Sequence, residues 1–149
     1  MEKHRNTILL VSRILMALIF IGAGIDKMGR YAATVNLMQS AGVTGSLLPA
    51  VIALELGGGL AILLGAATCW AALCLAMFCV VSAVLFHDNF ADALQLAMFM
   101  KNLAMAGGFL SLAVAGAGAI SIDARKRAAR TAMRTGTYIP NNRDNKRGL

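Results

Sequence analysis

Histidine is almost absent from the chain: His4 and His87 are the only two, and neither falls within the middle of an apolar run. No pair of axial haem ligands is therefore available inside a span. The three cysteines, Cys69, Cys74 and Cys79, stand five residues apart, a spacing that fits neither a CxxC redox pair nor a zinc-ligand pattern. They are expected to be small buried hydrophobes. No nucleotide-binding glycine motif occurs either. Charge is scarce, at 14% of residues, while the hydrophobic share is 58% and the mean hydropathy is +0.70. A soluble domain of this size holds roughly 45 to 50% apolar residues, so the composition specifies an integral membrane protein. The net charge of +7 does not contradict this, because eight of the fourteen Lys and Arg residues follow Asp123. The basicity belongs to a tail and not to a folded surface, and no nucleic-acid partner is expected.

What is present is a series of apolar runs, each long enough to cross a ~30 Å hydrocarbon core. The first covers about 7–25 and is interrupted only by Arg13. A cleaved signal peptide would share its basic start, but Arg13 breaks the run and no clear A-x-A site follows it. Residues 26–46 carry Asp26, Lys27 and Arg30 among several glycines and read as a loop, within which 32–41 has the makings of a short interfacial helix. The second span, about 47–65, opens with Pro49 in its first turn. It bears a stripe of Ala53, Gly57, Ala61 and Gly65 expected to admit a neighbouring backbone. The third, about 69–86, has no charged residue and reads as the most lipid-compatible. The fourth, about 93–119, contains Lys101, Asn102 and the pair Gly107 and Gly108, the latter expected to permit close packing. The expected fold is all-α, a four-helix transmembrane bundle over 1–123 with a basic tail over 124–149.

Four spans put both termini on one side. Apart from Arg13 and Lys101, that side holds ten Lys and Arg against two on the other. The positive-inside rule then expects both termini, and the basic tail, in the cytoplasm, with the tail touching anionic membrane lipid.

Against this background Glu55 stands out, as a carboxylate near the middle of the second span. Such a group costs about 2.5 to 3.5 kcal/mol on insertion scales and normally faces a bundle interior with a partner. Counting 1.5 Å per residue places Glu55 and Lys101 each ~12 Å below the outer boundary, so the two are expected to meet. Asp26, Lys27 and His87 would lie at the outer helix ends above them, and Asn102 beside Lys101. Arg13, ~9 Å from the inner boundary, shares a helical face with Ala17, Phe20 and Gly24. It reads equally as a headgroup-seeking or helix-capping residue and as an inward-facing functional one. The ligand- or proton-site candidates are therefore Glu55, Lys101, Asn102, His87, Lys27, Asp26 and Arg13, with no metal site expected. For Glu55 with Lys101, a purely structural ion pair is the alternative.

Five segments carry a resemblance: Arg13 with FIGAGIDK through Lys27, LELGGGLAILLG around Glu55, LFHDNFAD after the third span, MFMKNLAMAGGFL, and GAGAISID. Together, over about 8–123, the chain resembles the DoxX family of small four-helix bacterial inner-membrane proteins. The basic extension after Asp123 departs from the family pattern. The resemblance implies an inner-membrane location and an accessory role in quinone-linked or thiol-stress redox systems. With no catalytic motif in the chain itself, it argues against an enzyme and implies that any electrons are carried by a bound quinone or an oxidoreductase partner. The expected site is a polar intramembrane cavity that binds a quinone-like head group. Two other readings use the same residues: proton-coupled transport, which with four helices requires a homo-oligomer, and a non-catalytic scaffold.

Overall fold

The computed structural model describes residues 2–135 of the 149. Six α-helices follow one another: α1 (Glu2–Gly29), α2 (Tyr31–Ser40), α3 (Leu48–Leu64), α4 (Thr68–Phe86), α5 (Ala93–Ala115) and α6 (Ile122–Thr135), with a 3-10 turn at Gly45–Leu47 leading into α3. Helices α1, α3, α4 and α5 are long and apolar enough to cross a membrane. Of the tail expected over 124–149, positions 136–149 lie outside the described residues.

The helix ends differ from the expected ones for local reasons. α1 does not stop at 25, because no breaker intervenes before Gly29, and an ion pair between Arg30 and Asp26 (3.1 Å) braces its last turn. Asp26 and Lys27 are thus helical residues and not loop residues. α5 ends at Ala115, four residues early, where Gly116 takes φ 75°, a left-handed value that halts the helix without a Cβ penalty. α3 also ends on a glycine of positive φ, Gly65, which takes the left-handed helical conformation (φ 66°, ψ 45°). α5 starts under a conventional cap, the Asp92 side chain accepting from the Leu94 amide at 2.8 Å.

α1 packs on α3, α3 on α4 and α4 on α5, and α1 closes the ring against α5 through the edge-to-face pair Phe20 and Phe109 (ring centroids 5.3 Å). The buried face of α1 comprises Arg13, Ala17, Phe20 and Gly24, the face read from the sequence. Because lipid is as apolar as the core, close packing and not burial from water must hold such helices together. Close approaches fall on Gly58 and Gly59, beside the expected stripe, and on the last member of the stripe, Gly65. A Cβ at Gly59 would meet Ile21 at 2.9 Å, and one at Gly58 would meet Leu75 at 3.0 Å. Gly57, by contrast, has nothing within 4 Å, and Ala53 is exposed. Of the four-residue stripe, Ala53 and Gly57 therefore face the outer surface of the bundle, while Ala61 is half-buried and Gly65 is buried. Gly107 is likewise open, whereas Gly108 packs on Met16.

α4 is not the most lipid-exposed span. It buries Thr68, Ala72, Leu75, Ala76, Cys79 and Ala83 between α3 and α5. Of its cysteines only Cys79 is a buried hydrophobe, while Cys69 and Cys74 are exposed on the opposite face.

Candidate functional site

The bundle holds two polar clusters at different heights. The first surrounds Glu55, which is 2% exposed. Its Oε1 accepts a hydrogen bond and ion pair from Lys27 Nζ at 2.8 Å, and its buried Oε2 has no hydrogen-bond partner. Lys27 reaches Glu55 because α1 continues past 25 and lies directly against α3. Gly24, one turn earlier, makes room: a Cβ there would run into Leu56 at 2.7 Å. The pair is thus set at an unusually close helix contact.

Beside this pair lies a cavity of about 370 Å³, within the range of small-molecule sites. Lys27, Glu55, Thr34, Ser82 and His87 supply its polar atoms, and the rest of its wall is apolar, including Met38, Leu48 and Phe78. α2 and the segment up to Leu48 form one side, so the stretch read as a loop builds part of the wall. His87 is held at the rim by a 2.8 Å hydrogen bond between its Nδ1 and Gln95 Oε1. Thr34 and Ser82 escaped sequence reasoning, since an isolated hydroxyl in an apolar run carries no signal of where it faces.

The other expected partners are elsewhere. Lys101 is exposed on the outer face of α5, its Nζ donating only to Met98 Sδ at 3.2 Å. Glu55 is therefore paired with Lys27 and not with Lys101. Asn102 is buried, but its Nδ2 donates back to the Met98 carbonyl of its own helix at 3.1 Å. Asp26 is engaged with Arg30 on the surface. Neither Lys101, Asn102, Asp26 nor Arg13 lines the cavity.

Arg13 organises the second cluster, at the opposite end of the bundle. Its guanidinium is 1% exposed and donates four bonds to main-chain carbonyls: Nε to Ile62 (2.9 Å), Nη2 to Leu63 (2.7 Å), and Nη1 to Ala117 (2.7 Å) and Ile120 (2.8 Å). These carbonyls lie in the last turn of α3 and in the turn after α5, where the helix dipoles favour a cation, and that of Ile62 also accepts from the Gly65 amide at 3.2 Å. Arg13 is thus a clamp on two helix ends. Gly65 is required beside it, because a Cβ there would sit 2.5 Å from Ser121 and 2.9 Å from Arg13 Cζ, on a backbone already at φ 66°.

Next to this clamp the Asp123 carboxylate caps the start of α4, accepting from the amides of Ala67 and Thr68 at 2.9 Å each. Partial burial alone would raise its pKa, but the Thr68 and Ala67 donors, with Lys126 nearby, outweigh burial and hold the carboxyl below its ordinary value.

Four membrane-length helices around one partly polar cavity, with an arginine clamp at the other end, define a small multi-pass helical membrane protein. The chain belongs to the DoxX family, whose sequence model matches residues 8–88. That stretch contains Arg13 and every residue lining the cavity, from Lys27 to His87. It stops short of α5 and so excludes Lys101 and Asn102. The inner membrane protein YqjF of Escherichia coli (strain K12) is 52% identical over 123 residues, covering 83% of this chain and 95% of that protein. The inner membrane protein YphA of the same organism is 38% identical over 128 residues, covering 81% and 91%. No solved structure matches the chain significantly. The protein is a multi-pass inner-membrane protein of this family.

Proposed function

We propose that this protein is an accessory membrane subunit whose cavity beside Glu55 binds an apolar molecule with a carbonyl-bearing head, of which a membrane quinone is the best fit. Both termini are placed in the cytoplasm, on the strength of the ten-to-two distribution of Lys and Arg. The observation that carries the reading is the combination of an apolar cavity with a buried ion pair in its wall and one carboxylate oxygen, Glu55 Oε2, without a partner. An ion pair that served only to fix helix register would be expected to have its lone pairs satisfied.

The residues fit a quinone head. Lys27 Nζ and the Ser82 hydroxyl are donors suited to carbonyl oxygens, the Thr34 hydroxyl being engaged with the Arg30 carbonyl at 3.0 Å, while Phe78, Val81 and Leu85 offer apolar wall for a ring. Lys27 is the more exposed member of the pair, at 25% against 3% for Glu55. It orients a head group, while Glu55 holds or accepts a proton at Oε2. A bound quinone would supply two-electron, two-proton redox chemistry, and an oxidoreductase partner would exchange electrons with it.

The test is to purify the protein in mild detergent and extract it for quinone, alongside a Lys27→Ala/Glu55→Ala variant purified identically. Enrichment in the native protein and its loss in the variant support the reading. Equal quinone content in the two preparations overturns it.

A further inference from the structure

A second recess, of about 470 Å³, opens at the other end of the bundle between α6 and the start of α4. Its wall includes Lys126, Arg127 and Arg130 from α6 and Thr68 and Trp70 from α4. Arg130 stands three residues after Arg127 and four after Lys126, which brings all three toward one side of α6. Among the described residues the ion pairs are Lys27 with Glu55 and Arg30 with Asp26, so these cations form none. The one carboxylate in the recess, Asp123, is committed to the Ala67 and Thr68 amides.

The recess is held in place and does not depend on a loose tail. The Asp123 amide donates to the Gly65 carbonyl at 2.9 Å, and Ser121 Oγ accepts from the Ala124 amide at 3.1 Å, capping α6. Arg13 grips the Ala117 and Ile120 carbonyls just before it. The first turn of α6 is thereby locked to the bundle, which fixes the helix that carries Lys126, Arg127 and Arg130 beside the recess.

We propose that this recess binds the phosphate headgroup of an anionic phospholipid. Two observations favour a lipid over a soluble anion. Trp70 is 73% exposed at the end of a membrane span, where indoles mark the interface. From it an exposed apolar ridge of Leu73, Met77, Val80 and Val84 runs along α4, spanning about 21 Å at 1.5 Å per residue, the length of an acyl chain's path. A phosphate seated on Arg127 and Arg130, which suit its paired oxygens, would have its chains lie on that ridge. The inference is independent of what occupies the Glu55 cavity.

The full chain in mild detergent provides the test, with thermal melts followed during addition of phosphatidylglycerol, phosphatidylcholine or inorganic phosphate. A saturable rise in Tm with phosphatidylglycerol alone is expected. The Arg127→Gln/Arg130→Gln variant should need about tenfold more lipid, whereas Arg125→Gln/Arg134→Gln, with the same loss of charge, should respond as the native protein does. Equal weakening in both variants would reduce the effect to diffuse charge, and an equal response to inorganic phosphate would remove the lipid; either overturns the proposal. Trp70, the only tryptophan in the chain, gives a second readout that needs no variant. Phosphatidylglycerol with brominated acyl chains should quench it at concentrations where brominated phosphatidylcholine does not, and equal quenching by the two lipids would contradict the site.

Discussion

Replacing Lys27 by Met removes the one hydrogen-bond partner that Glu55 has in the structure. The stranded carboxylate is 2% exposed and surrounded by apolar helix, and breaking a buried pair in this way costs about 3 to 5 kcal/mol. The opposite change, Glu55→Gln, is milder. Lys27 is 25% exposed and can turn its flexible side chain toward the helix end, so a cost of about 1 to 2 kcal/mol is expected. The double variant leaves neither charge behind and should recover much of the loss, giving a coupling of about 2 kcal/mol. The assay is a double-mutant cycle by thermal or denaturant unfolding in mild detergent. The cycle of Glu55→Gln with Lys101→Met is the control, and it should be additive within about 0.5 kcal/mol because Lys101 faces away on α5. Coupling near zero for the Lys27 cycle, or a larger value for the Lys101 cycle, would refute the pairing.

Arg13→Gln should lower stability by at least ~3 kcal/mol, since it strips donors from four inward-facing carbonyls. Arg13→Lys should recover only part of this in unfolding assays, because an ammonium cannot match the guanidinium fork. Asp123 binds protons more weakly in the folded state than its ordinary value of 3.8. Its stabilising effect is thus full above that value and lost as pH falls through the lower folded-state value, and the gap in Tm between native protein and Asp123→Asn should narrow in acid. A gap that stays constant would show that the carboxylate charge contributes nothing there. A reporter active only in the cytoplasm should work after Leu149 and fail at Asn89; activity at Asn89 would reverse the orientation.

The spans were legible in the sequence because each is an apolar run of membrane length, and hydropathy does not depend on what the run packs against. The inward face of α1 was legible too, as Arg13, Ala17, Phe20 and Gly24 recur at helical spacing. Residue counting, by contrast, assigns Glu55 the wrong partner: it pairs Glu55 with Lys101 and sets Lys27 above it, whereas Lys27 is the residue that meets Glu55. Rise per residue fixes height and says nothing of rotation, and rotation puts Lys101 outside while its neighbour Asn102 is inside. Lys27 is among the residues singled out from the sequence, but ending α1 at 25, where polar residues begin, sets it above Glu55 and not beside it, although nothing in Asp26 to Gly29 breaks a helix. The first half of the small-residue stripe on α3, Ala53 and Gly57, misleads for the same reason as Lys101, since spacing defines a face but not which way the face points, whereas its last member, Gly65, does meet a close neighbour. α2 is legible as the short helix read over 32–41, but its place in the cavity wall is not, since a hydroxyl such as Thr34 acquires meaning only once the helix is set beside the cavity.

The central claim is that the cavity beside Glu55 holds an apolar molecule, and the direct measurement is native mass spectrometry of protein released from its own membrane. Native protein should carry an added mass equal to a membrane quinone. Ser82→Phe, which fills the cavity while keeping Lys27 and Glu55, should lose that mass and retain its melting behaviour. A bound quinone undiminished in Ser82→Phe, or none on the native protein, would contradict the account.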